Sequence, residues 1–340
     1  MTASPELLIL DVGHGNCVVL NDTAGVIIID CAPGTTLKET LDQLGITEIS
    51  SVLISHADED HVAGLIGLLQ DPQITVQHIY INPDAVKLSD LWYDVRVTFR
   101  EARKTKTTEI HPQLTIDLTG SLDTGEVHVE VLAPSQELAL SAVGGKDLEG
   151  RKVTSNSMSA VIGLSHNGRR VALITGDLDR SGLENLLEDG VDMKAEILVF
   201  PHHGGKPGPA DGGQFARDLC STVEPSIVVF SMARSRSGFP RPEVVGGVLT
   251  AVPQAHIACT QLSQECSNDL PLGSNHLMNY PARGREKNTC CAGTLRVGMS
   301  DDPRLGDFLA QHLTFVGTIA PTMCTKTTRT IEQHSEFLND

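Results

Sequence analysis

Aromatic residues are scarce. Phe, Tyr and Trp make up 4% of the 340 residues, and Trp92 is the only tryptophan. A platform of stacked rings for single-stranded nucleic acid is therefore not expected. Basic residues are outnumbered, 26 Lys and Arg against 43 Asp and Glu, for a net charge of −17. That balance argues against a non-specific duplex binder with a broad basic surface. It leaves room for a nucleic-acid enzyme, because bound metal ions supply local positive charge that the count omits. No apolar run approaches the ~20 residues of a membrane helix. The opening residues carry neither the basic region nor the apolar stretch of a leader peptide. The chain reads as soluble and cytoplasmic, with no membrane partner.

Apolar residues reach 40% and charged residues 20%, enough for a substantial core and unlike a disordered or fibrous chain. Short apolar runs alternate with turns and helical patterns. Strands are predicted at 7–11, 17–20, 26–30, 51–55, 76–81, 127–132, 159–164, 171–175, 197–200, 227–230, 256–260 and 294–297. Helices are predicted at 36–44, 62–69, 84–104, 178–187, 214–223 and 242–251, from spacings such as Leu37, Leu41 and Leu44 stopped by Gly45. About a dozen strands with interspersed helices predict an α/β fold of stacked sheets with helices outside.

Polar residues interrupt the apolar runs at informative places. Ser55-His-Ala-Asp-Glu-Asp-His61 follows a strand and offers His56, Asp58, Asp60 and His61. Imidazole and carboxylate together suit zinc, iron or manganese. Val171–Asp177 is an apolar strand ending in Thr-Gly-Asp, where Gly176 lets Asp177 project. Ile197–Gly204 places His202 and His203 directly after a buried strand. A histidine pair at a strand exit is more often a ligand set than packing. All three segments lie at the C-terminal ends of strands, so together they point to one metal site.

The chain resembles metallo-β-lactamase-fold hydrolases over about residues 5–260. His56-x-Asp58-x-Asp60-His61 is similar to the family's His-x-His-x-Asp-His signature, with Asp58 in the second His place. That variant resembles the branch containing the hydrolase-like domain of the competence DNA-uptake channel (ComEC type) and its stand-alone soluble relatives. Asp11-Val-Gly-His-Gly-Asn-Cys17, Asn156-Ser-Met-Ser159 and Pro201-His-His-Gly204 resemble further motifs of that branch, although His14, Asn16 and Cys17 depart from its Gln, Asp and Ser. The resemblance implies an αββα sandwich and two divalent ions, zinc or manganese. His56 and Asp58 would hold one, near Asn156. Asp60, His61 and one of His202 or His203 would hold the other, with Asp177 bridging. The resemblance also implies a hydroxide directed between the ions, with Asp60, His202 and His203 the candidate catalytic residues.

The basic stretch Arg96–Lys106 reads as a solvated helix face, with an anion-guiding edge as the alternative. Arg241 stands where the branch often has a histidine and reads as a surface residue. Eight cysteines are present. Five lie late, and Cys259, Cys266, His276 and Cys290 or Cys291 could complete a structural zinc site in a polar insertion over 259–291. Cys17, Cys31, Cys220 and Cys324 read as isolated core thiols. Residues 1–300 are expected to form the hydrolase domain and 301–340 a C-terminal extension of unclear structure. The leading functional expectation is a metal-dependent phosphodiesterase or nuclease acting on a nucleic acid or nucleotide. The alternatives are a lactone, amide or thioester hydrolase of the same fold, or a non-catalytic scaffold subunit.

Overall fold

The computed structural model describes residues 4–325 except 107, 237, 272–274, 302–303 and 320–321. Two sheets stack face to face. The first holds β1 (Glu6–Ile9), β2 (Val18–Asp22), β3 (Gly25–Ile29), β4 (Glu48–Ile54), β5 (Thr75–Ile81), β6 (Glu109–His111) and the last strand among the described residues, β13 (Leu295–Gly298). Its order is β13-β1-β2-β3-β4-β5-β6. The second holds β7 (Val127–Ala133), β8 (Val161–His166), β9 (Arg169–Ile174), β10 (Ile197–Val199), β11 (Ile227–Phe230) and β12 (His256–Cys259), ordered β12-β11-β10-β9-β8-β7. Each sheet joins an antiparallel part to a parallel one: β3 to β6 are parallel in the first, and β9 to β12 in the second.

Alternation along the strands explains the layers. Ile27 and Ile29 of β3 face the second sheet, meeting Val129, Ile162 and Val199, while Ile28 points to the other side. On that outer face lie α1 (Thr36–Leu44), α2 (Glu59–Val62), α3 (Gly64–Gln70) and α4 (Asp90–Thr105), contributing Leu41, Val62, Leu65 and Phe99. A short α5 (Gln136–Ser141) caps a satellite cluster around Leu138. The second sheet's outer face is covered by α6 (Arg180–Glu188), α7 (Gly212–Val223), α8 (Pro242–Ala251) and α9 (Phe308–Gly317), through residues such as Leu183, Phe215, Val248 and Phe315. The result is the expected αββα sandwich.

The C-terminal part of the described residues joins the sandwich. β13 pairs with β1, and α9 packs into the cores through Phe308 and Phe315. Residues 326–340 of the expected extension lie outside the described residues. Among the described residues, no helix is long and apolar enough to cross a membrane.

Candidate metal centre

The site forms where strand ends converge. Asp11 follows β1, Asp30 follows β3, Ser55 and His56 follow β4, Asp177 follows β9, and His202 and His203 follow β10. Parallel strands deliver their C-terminal loops to one edge, which is where open α/β sheets place ligands. Two close approaches hold these loops together. Gly15 has φ of +124°, and a Cβ there would stand 2.3 Å from the Asp60 carbonyl oxygen. Gly176 has φ of +50°, and its Cβ would fall 2.3 Å from Ser159 Oγ and 2.6 Å from Ser55 Cβ.

Asp177 is the centre of the arrangement. Its Oδ1 lies 3.3 Å from His61 Nε2 and 3.6 Å from His203 Nε2. Its Oδ2 lies 3.4 Å from His202 Nδ1 and 4.0 Å from His56 Nε2. The His202 backbone N–H donates to Asp177 Oδ1 at 3.1 Å, and the Asp177 N–H donates to Ser159 Oγ at 3.0 Å. Asp60 Oδ2 sits 3.1 Å from His203 Nε2 and 3.5 Å from His14 Nε2. Two trios bring their ligand atoms within 4.8 Å of one another: His56, His61 and Asp177, and His14, Asp60 and His203.

Neighbours fix how the rings are presented. His61 Nδ1 lies 2.7 Å from Asp30 Oδ2, and both residues are fully buried. Asp30 also accepts from the Ser55 N–H at 2.7 Å and from Ser55 Oγ at 2.9 Å. His203 Nδ1 donates to the Ser231 carbonyl at 2.7 Å, which leaves the Nε2 lone pair facing Asp60. A carboxylate or carbonyl behind an imidazole is the usual support of a metal ligand. His202 and His203 both have positive φ, 52° and 55°, a costly conformation held in place by these contacts.

The electrostatics point the same way. Burial alone would lower the pKa of His61, but Asp30 and Asp177 outweigh it and raise it well above its ordinary value. Burial would raise the carboxyls of Asp60 and Asp177, and the surrounding histidines instead hold both low. His14 falls to about 4, chiefly through burial and then through His203. His56 Nε2, His61 Nε2 and His202 Nε2 are buried without a hydrogen-bond partner. Orphaned imidazole nitrogens around low-pKa carboxylates are the donor set of a divalent-metal site. The residues present therefore fit the group the sequence implied.

The structure gathers His56, Asp60, His61, Asp177, His202 and His203 at this centre. Of the histidine pair, His203 faces Asp60 and His202 flanks Asp177. Asp58 stands at the rim: one oxygen is 3.6 Å from His56 Nε2, and the other pairs with Lys87 Nζ. Asn156 lies in the turn before β8, where its carbonyl accepts from the Ser159 N–H at 3.1 Å. Sequence reasoning treated His14 as a departure and did not single out Asp30, Ser159 or Lys87. The Asn-x-x-Ser motif held the clue to Ser159, which orients Asp177.

A cleft of about 1360 Å3 opens beside His14 and Asp60. Arg236, Arg283 and Lys287 line it, and none of the three has an ion-pair partner among the described residues. Arg283 lies along the loop of the opening motif, where a Cβ on Gly13 would meet its Cδ at 2.9 Å. The basic stretch on α4 lies elsewhere. Arg100 and Lys104 pair with Glu101, and Arg96 stacks over Tyr93. Arg241 pairs with Glu243 at 3.0 Å.

The late cysteine set divides. Cys259, Cys266 and Cys291 line a separate small cavity, joined there by Cys324. Cys290 Sγ instead donates to Asp11 Oδ2 at 3.5 Å, drawn towards a buried carboxylate. His276 Nε2 donates to the Cys291 carbonyl at 2.6 Å and its ring stacks on Phe315, so it is spent on packing.

Among solved structures, the metallo-beta-lactamase fold protein YhfI from Bacillus subtilis is 12% identical, with a TM-score of 0.46, covering 76% of this chain and 96% of that one. Igni18, a metallo hydrolase from Ignicoccus hospitalis, is 14% identical with a TM-score of 0.42, covering 75% and 94%. The short form of human tRNase Z is 16% identical with a TM-score of 0.37, covering 68% and 93%. No curated protein matches. The profile of the Metallo-beta-lactamase superfamily matches residues 10–231, more than half of the sequence and every strand end that feeds the metal centre, and the chain belongs to that superfamily.

Proposed function

We propose that this superfamily metal hydrolase cleaves phosphodiester bonds of a nucleotide or single-stranded nucleic acid, with two divalent ions. The observation that carries the reading is the pairing of the orphaned imidazole site with a cleft whose wall presents Arg236, Arg283 and Lys287 alongside Glu39, Glu59 and Glu286, in a chain whose net charge is −17. His56, His61 and Asp177 would hold one ion. Asp60 and His203 would hold the second, with His14 in reach and Asp177 between. Divalent ions there would supply Lewis acidity, lowering the pKa of water and offsetting charge on a phosphoryl oxygen.

The chain's own residues do the rest. Asp30 and Ser231 keep His61 and His203 in the ligand tautomer. Arg236, Arg283 and Lys287 would draw a polyanion to the cleft mouth and offset its charge. Phe239 packs edge-on against His14, at 5.3 Å between ring centres, and shields that side of the site. His202, adjacent to Asp177, is the side chain best placed to hand a proton to a leaving oxygen.

The test is hydrolysis of a simple aryl phosphodiester, a short single-stranded oligonucleotide and an aryl lactone, with added manganese or zinc. The expected result is chelator-sensitive cleavage of both phosphodiesters. Lactone cleavage without phosphodiester cleavage would move the reading to the carboxyl-ester alternative. Binding without hydrolysis of any would support a scaffold.

A further inference from the structure

A second convergence of metal-ligating side chains lies outside the catalytic cleft. Cys259, Cys266, Cys291 and Cys324 line one cavity of about 20 Å3. They come from four segments: the end of β12, the turn that follows it, the stretch before β13, and the turn after α9. Cys259 and Cys291 are buried, and Cys266 and Cys324 are partly so. The rest of the wall is largely apolar, including Val245, Ile257 and Val316, and holds no carboxylate, lysine or arginine. A pocket that small has room for one ion.

One contact sets these thiols apart from ordinary core cysteines: His312 Nε2 lies 3.3 Å from Cys291 Sγ, while His312 Nδ1 lies 2.9 Å from His256 Nε2. With Nδ1 accepting from His256, the ring presents Nε2–H to the sulfur. An outer-shell N–H donor of this kind steadies a metal-bound thiolate.

We propose that Cys259, Cys266, Cys291 and Cys324 form a tetrathiolate site for a structural zinc ion. The site is independent of the catalytic reading. Binding replaces four S–H bonds with four Zn–S bonds and releases four protons, with no change of oxidation state. Tetrahedral ligation at ~2.3 Å sets the sulfurs about 3.8 Å apart. No trio of these sulfurs lies within 4.8 Å among the described residues. Ligation would therefore require the sulfurs to draw together. The ion would clamp the chain beyond α9 to β12 and fix both ends of the insertion, which has little core of its own.

The experiment uses full-length protein purified under reducing conditions, in an Asp60→Ala, Asp177→Ala background that removes the catalytic ions. Elemental analysis is expected to find one zinc per chain, released in step with four thiols on mercurial titration. Cys324→Ser and Cys266→Ser lower the zinc content, and Cys220→Ser leaves it unchanged. If a cysteine variant fails to fold, cobalt loading of the background protein serves instead, and a thiolate-to-cobalt charge-transfer band is expected. A zinc-free chain without that band overturns the proposal. So does zinc retained in both serine variants, or a mass loss showing a disulfide among the four.

Discussion

Replacing Asp30 by Asn probes the metal centre without touching a ligand or the cleft. Asp30 is fully buried, and both carboxylate oxygens are occupied. Oδ1 accepts from the Ser55 N–H at 2.7 Å, and Oδ2 serves His61 Nδ1 at 2.7 Å and Ser55 Oγ at 2.9 Å. Asn has almost the same shape but only one acceptor oxygen. If that oxygen stays on Ser55, the new NH2 group faces His61 Nδ1, and the ring must move its proton to Nε2. That proton occupies the lone pair a metal would use. If the amide flips, the buried Ser55 N–H faces another donor and is left unsatisfied. The carboxylate's charge, which now raises the pKa of His61, is lost in both cases. Supporting carboxylates of this type are worth 10–100-fold in metal affinity, or about 1.4–2.7 kcal/mol. Competition with a chromophoric chelator measures the affinity, and circular dichroism of the metal-free protein checks the fold. A folded variant whose affinity stays within about threefold of wild type would refute the argument that His61 ligates through Nε2.

Four shorter predictions follow from other contacts. Asp177→Ala, which removes one trio's carboxylate, 3.6 Å from His203 of the other trio, should abolish hydrolysis, while Asp58→Ala should leave measurable turnover, because Asp58 stands at the rim and is shared with Lys87; steady-state kinetics with saturating manganese compares them. Gly15→Ala should displace Asp60 and cost roughly 1–3 kcal/mol of stability through overpacking, read as a lower denaturant midpoint with an unchanged slope. Arg283→Ala should raise KM for a charged oligonucleotide several-fold but not for a small diester, and added salt should narrow the gap. Acid should destabilise the fold through His312, whose pKa falls to about 3 from 6.5 through burial, His256 and His276. The unfolded chain then binds the extra proton between those values, so stability falls as pH drops below 6.5, by about 2 kcal/mol down to pH 5. His312→Gln should flatten that fall in thermal melts.

Much of this was legible in residue order. The helices at 36–44 and 242–251 match their observed spans, since apolar spacing and Gly45 or Pro242 mark their ends. The ligand-bearing loops could be read because polar residues there break strands that are otherwise apolar. What escaped was anything decided by folding at long range. His14 became a site residue only because Gly15 lets its loop press on Asp60. Asp30 is one carboxylate at a strand end until β3 and β4 are seen side by side. Edge strand β6 has three residues and no apolar alternation to announce it. Cys324 could not be joined to Cys259 by spacing, because α9 brings it back across the sheet. The expected partners His276 and Cys290 were nearer in sequence but are engaged elsewhere.

Asp11 joins distant parts of the chain at the cleft. Its carboxylate accepts from Gly13 and Gly284 backbone N–H groups and from the Gln261 side chain, and its carbonyl accepts from the Arg283 N–H. Its strand, β1, pairs with β13. One edge of β1 is thus completed by a segment nearly three hundred residues further along the chain. The loop carrying His14 and the wall carrying Arg283 are sewn together by the same side chain, so a change at Asp11 would loosen both sides of the cleft at once.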